Sequence, residues 1–122
     1  MRFLPTRVHG VIDYLTSALL VAAPWLLDFG RGGAETWVPV SLGAGGVLYS
    51  LFTDYELGLV RRLGMPAHLV LDAVLGVLLA SSPWLFAFAD RVAWPHVVLG
   101  LFAVGAALVT HTVPYDRRTA IG

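Results

Sequence analysis

One pattern of polar, proline and aromatic residues occurs twice in this chain. His9, Asp13, Pro24 and Trp25 return in the same order, at one constant spacing, as His68, Asp72, Pro83 and Trp84. Trp37, Gly43 and Thr53 return as Trp94, Gly100 and Thr110 at a spacing two residues shorter. Each copy holds two long apolar segments, so the chain reads as two tandem two-helix repeats, 1–60 and 61–122. A single hairpin has nothing against which to bury its apolar face, whereas two hairpins close a four-helix bundle. The repetition also fixes where chemistry can lie, because each copy sets a His and an Asp inside an apolar segment.

Composition decides the solvent. Mean hydropathy is +0.76, with 57% apolar and 13% charged residues, against about 25% charged in a typical soluble domain. A chain of 122 residues is too small to hide that much apolar surface from water. The fold class expected is therefore all-α: a polytopic membrane protein with four transmembrane helices. The spans read as 8–27, 37–55, 67–88 and 93–113, each near the roughly 20 residues a bilayer core requires. No segment alternates with period two, which disfavours a β-barrel. Zero net charge and the lack of a basic run give no footprint for nucleic acid. Without cysteine there are no disulfides, thiolate metal sites or thiol redox reactions.

All eight basic residues are Arg. Arg2, Arg7, Arg61, Arg62, Arg117 and Arg118 fall on one side of the spans, and Arg31 and Arg91 on the other. The excess predicts both termini and the middle loop on the cytoplasmic face of the cell inner membrane. Trp25, Trp37, Trp84 and Trp94 all fall at the opposite ends of the segments, as interfacial anchors do. The first segment, preceded by Arg2 and Arg7, has some features of a cleaved leader. Asp13 within it, and its recurrence as the third segment, argue against cleavage.

In His9-x-x-x-Asp13 and His68-x-x-x-Asp72 the spacing puts both side chains on one helix face, a face continued by Ser17 and Gly76. An Asp at a helix centre costs about 2.5–3.5 kcal/mol on insertion scales, so it must face protein or water and find a partner. Three roles suit these residues: a clamp between helices, a proton or ion pathway, and a metal or haem site with His9 and His68 as ligands. The clamp is expected, and with it no cofactor. His111, near the end of the fourth segment, is a candidate fifth member. Thr53 and Thr110 lie at the same level, within reach of the pairs, although a bond to each one's own i−4 carbonyl is the ordinary fate of such a residue. His96, beside Trp94 and Pro95, reads as a solvated interfacial residue.

Pro24-Trp25 and Ser82-Pro83-Trp84 read as architecture, a proline ending or kinking the helix and a ring anchoring it. Ser41-Leu42-Gly43-Ala44-Gly45-Gly46 and Gly76-x-x-x-Ala80 offer close helix contacts. No phosphate-binding loop, nucleophile elbow or zinc-protease motif is present, and the chain is expected not to be an enzyme.

The duplicated Pro-Trp pairs resemble the SPW repeat family of small bacterial membrane proteins. The second copy carries the motif intact in Ser82-Pro83-Trp84, and the first has Ala23 in place of the Ser. The resemblance implies a four-helix membrane protein of two repeats and supplies no activity. The expected role is a scaffold or accessory subunit. Its partners would be the lipid bilayer and either further copies of itself or a larger membrane complex.

Overall fold

Four helices follow the four apolar runs: α1 (Thr6–Leu26), α2 (Ala34–Leu51), α3 (Met65–Leu85) and α4 (Trp94–Val109). The computed structural model describes residues 2–114, so the Arg117-Arg118 end of the charge count lies outside the described residues. Among those described there is no strand, only two isolated bridges, Leu4 to Thr110 and Thr53 to Leu63. α1 and α3 each run 21 residues, about 31 Å at 1.5 Å per residue, which matches a hydrocarbon core of about 30 Å. α3 is long and apolar enough to cross a membrane, and α4 is apolar throughout but only 16 residues long.

α2 and α4 end four residues earlier than their apolar character suggests. Thr53 and Thr110 each donate their hydroxyl to the carbonyl four residues back, Tyr49 and Ala106, at 2.7 and 2.5 Å. The backbone at both then enters an isolated bridge, and Thr110 is extended. Beyond Thr110 the chain pairs with the N-terminal segment. Phe3 and Leu4 donate to the Val109 carbonyl, and His111 N–H donates to Leu4. Arg2 completes the end of α4 by donating to the carbonyls of Ala107 and Thr110 at 2.8 and 2.6 Å, a cation placed at the negative pole of the helix dipole.

At the other end the two prolines act alike. Each lies inside its helix, which runs two residues further. The Pro24 carbonyl accepts the N–H groups of Phe29 and Gly30, and that of Pro83 accepts those of Phe88 and Ala89. Asp28 and Ala87 take left-handed backbone, both at φ 58°. These are Schellman turns, in which a six-residue bond closes over a left-handed residue and tucks the next side chain inward. The tucked side chains are Phe29 and Phe88, both buried.

Within each repeat the helices touch backbone to backbone. A Cβ on Gly43 would lie 2.6 Å from the Ser17 carbonyl of α1, and one on Gly100 2.5 Å from both Gly76 O and Ala80 N of α3. Helices α1–α2 and α3–α4 therefore form tight hairpins, and contact between the hairpins is sparser. The apolar core at the hairpin junction consists of Tyr55, Met65, Leu69 and Ala107, with Leu57 and Ala73 against it.

Candidate polar centre between the repeats

His9 and His68 both occupy the first turn of their helices, where their N–H groups bond Pro5 and Gly64 at 3.0 Å. One turn further along stand Asp13 and Asp72. All four groups meet. His9 Nε2 lies 2.7 Å from Asp72 Oδ2 and 3.0 Å from Asp13 Oδ1. His68 Nε2 lies 2.9 Å from Asp13 Oδ2 and 3.2 Å from Asp72 Oδ2. Each imidazole is thus closer to the aspartate of the other repeat than to its own. The side chains are 0–10% exposed, and the two imidazoles pack edge to face with centroids 5.5 Å apart.

The threonines fix the tautomers. Because the Thr53 and Thr110 hydroxyls give their protons to backbone carbonyls, their oxygens accept. His68 Nδ1–H donates to Thr53 Oγ1 at 2.6 Å and His9 Nδ1–H to Thr110 Oγ1 at 2.7 Å. Each Thr therefore bonds its own i−4 carbonyl and the imidazole together, where the sequence had set the two as rivals. With Nδ1 protonated, Nε2 is the atom turned to the carboxylates. A bare nitrogen lone pair and a carboxylate oxygen at these separations repel, so positive charge belongs between them. With two protons so shared, two imidazoles and two carboxylates are neutral as a set.

Two tyrosines complete the centre, and neither was legible as a site residue. Tyr49 donates a short hydrogen bond to Asp72 Oδ1, and Tyr55 donates to Asp13 Oδ2 at 2.9 Å. Both rings also pack on His68. Tyr55 belongs to the connector after α2. Burial, with the Asp13 carboxylate beside it, pushes its phenol above the ordinary value, so it remains a donor. That connector is itself tied to α1, where Thr6 donates to both Glu56 oxygens at 2.7 Å and Tyr14 donates to the Leu57 carbonyl at 2.9 Å.

His111 does not join. α4 has already ended at Val109, the extended Thr110 turns the chain away, and the ligand-capable cluster consists of His9, Asp13, His68 and Asp72. A cavity of about 60 Å³ borders the centre, lined at its polar end by His9, Asp13, Tyr49 and Asp72 and elsewhere by apolar side chains such as Leu79 and Phe102. That is room for ordered water with polar partners.

The remaining residues singled out from the sequence have structural places. Ser82 is buried, and its hydroxyl donates to the Leu79 carbonyl at 2.7 Å. Its counterpart Ala23 lacks the group and is equally buried. Trp25, Trp37, Trp84 and Trp94 are all exposed, with Trp25 set edge-on to Trp37 and Trp37 Nε1 donating to the Gly32 carbonyl. His96 corrects its sequence reading: it is 1% exposed, lies between Phe29 and Phe88, and donates from Nε2 to the Glu35 carbonyl at 2.9 Å. The reason is helical phase. Two residues past Trp94 is about 200° around the axis, so an outward Trp94 turns His96 inward.

A family model described as the SPW repeat domain matches residues 7–110. No curated protein and no solved structure matches the chain. The family match takes in nearly all of the four helices together with every member of the polar centre. The chain belongs to the SPW repeat domain family.

Proposed function

We propose that this protein is a multi-pass, non-enzymatic scaffold or accessory subunit of a membrane assembly, in which the His–Asp centre joins two tandem repeats into one rigid unit. The observation that carries this reading is the crossing of the pairs: His9 to Asp72 at 2.7 Å and His68 to Asp13 at 2.9 Å. The groups most costly to place in a bilayer satisfy one another across the interface between hairpins, where helix contact is thinnest. The outer faces are apolar, with Val11 and Leu15 of α1, Leu48 of α2, Val70 and Val74 of α3 and Leu101 of α4 exposed. Such faces suit lipid, further copies of the chain or a membrane partner. The short connectors between the helices support a non-enzymatic reading.

The test compares stability with transport. Asp13→Asn and Asp72→Asn remove one carboxylate charge each and leave a buried imidazole poorly matched. The expected loss is about 1–3 kcal/mol, seen as a lower unfolding midpoint in detergent, with no proton flux in liposomes from either variant or from the parent. Flux through the parent that disappears in Asp13→Asn would overturn the scaffold reading in favour of a proton pathway.

A further inference from the structure

We infer that the centre formed by His9, Asp13, His68 and Asp72 is a binding site for one divalent transition-metal ion, held at the joint between the two repeats. The inference rests on the joint reading only for the place of these groups, and goes beyond it in naming what they bind.

Four independent features point to a cation. The first is the donor set. Two imidazole nitrogens and two carboxylates offer one ligand atom each, all within 4.8 Å of one another. Tetrahedral bonds of about 2.0–2.1 Å set neighbouring ligand atoms about 3.3 Å apart. The nitrogen–oxygen separations here are 2.7–3.2 Å, so an ion requires each side chain to give by only tenths of an ångström. The second is charge. Two carboxylates facing two imidazole Nε2 atoms need two positive charges among them, which one divalent ion supplies as well as the two shared protons do.

The third feature is orientation. His68 is 0% exposed, yet its Nε2 makes no aligned hydrogen bond, although carboxylate oxygens lie 2.9 and 3.2 Å away. His9 Nε2, by contrast, aligns on Asp72 Oδ2 at 2.7 Å, so one imidazole has its partner and the other keeps a buried ring nitrogen for a cation. The fourth is the surrounding shell. Metal-binding imidazoles give their other N–H to a fixed acceptor, and ligating carboxylates are themselves hydrogen-bonded. Here Thr53 and Thr110 hold the Nδ1–H groups, and Tyr49 and Tyr55 hold the carboxylates. Nitrogen and oxygen donors without thiolate favour zinc, iron(II) or cobalt(II) over softer or larger ions.

The experiment uses the full chain purified in mild detergent without chelator. Metal analysis should find about one transition-metal ion per chain. After chelation, Zn²⁺ should raise the unfolding midpoint, and Co²⁺ should give the visible absorption of a low-symmetry four-coordinate site. His68→Ala should abolish the cobalt spectrum while His111→Ala leaves it unchanged. If His68→Ala fails to fold, Thr53→Val keeps all four ligands and should weaken Co²⁺ affinity about 10–100-fold while remaining helical by circular dichroism. A folded parent with no metal, no cobalt spectrum and no zinc shift overturns the site, as does an unaltered spectrum in His68→Ala or an unaltered Co²⁺ affinity in Thr53→Val. That failure is separate from failure of the joint: if the site is lost but Asp13→Asn still lowers stability in metal-free buffer, the joint stands as a proton-bridged clamp alone.

Discussion

Ala87 holds a backbone conformation that an L side chain adopts at a cost. Its φ of 58° is matched in the first repeat by Asp28, a residue type that tolerates left-handed backbone through local hydrogen bonding. Alanine has no such compensation, and the Schellman turn around it keeps it there because Phe88 is 0% exposed behind it. Ala87→Gly should therefore raise stability by about 1 kcal/mol, read as a higher unfolding midpoint with an unchanged helix signal, while Asp28→Gly should gain less. No change in Ala87→Gly would mean that the turn is relaxed in solution. The same scale shows what repetition reveals and what it hides. His9, Asp13, Thr53 and their counterparts were legible because each appears twice. Tyr49 and Tyr55 were not, since the second repeat has Ala106 and Thr112 at the corresponding spacing, and nothing in their local sequence ties them to an aspartate on another helix.

Helix contacts depend on which glycines face a neighbour. In α2, Gly43 meets the Ser17 backbone, whereas Gly45 has nothing within 4 Å of a built Cβ. In α4, the atoms nearest a Cβ on Gly100 belong to the Gly76 backbone and Ala80, while Gly105 again faces open space. Gly100→Ala should force the α3–α4 hairpin apart and destabilise by about 1–3 kcal/mol. Gly45→Ala should leave the packing alone and gain up to about 1 kcal/mol from helix propensity. Thermal unfolding of the two variants in one detergent checks the pair, and equal effects would contradict the packing described. The sequence presented Ser41–Gly46 as one small-residue stretch, and only helical phase against α1 separates its members. Helix ends were misjudged for a related reason. The spans read from the sequence run on to Tyr55 and Val113, but the Thr53 and Thr110 hydroxyls close the helices, and the bridges of Thr53 to Leu63 and Thr110 to Leu4 that follow carry no signal in the apolar pattern.

At the scale of the whole molecule, charge and aromatic rings give one direction to the bundle. Arg2, Arg61 and Arg62 lie at the end where the polar centre sits, and Arg31 and Arg91 at the end that carries the four exposed tryptophans. α1 and α3 begin at the first end and run in the same sense, as an even number of helices per repeat requires. By the positive-inside rule we propose that the His–Asp joint lies towards the cytoplasmic face and the tryptophans at the opposite interface. The absence of native cysteine makes the orientation directly measurable, because one introduced thiol is the whole signal. Leu59 in the middle connector is 78% exposed, and Asp90 in the last outer connector is also exposed. Neither is an Arg, so substitution leaves the topology-setting charges intact. Asp90→Cys should react with a membrane-impermeant maleimide in intact cells, and Leu59→Cys only after permeabilisation. Labelling of both from the same side would refute the four-span arrangement, and reversed labelling would invert the bundle and move the joint to the outer half of the membrane.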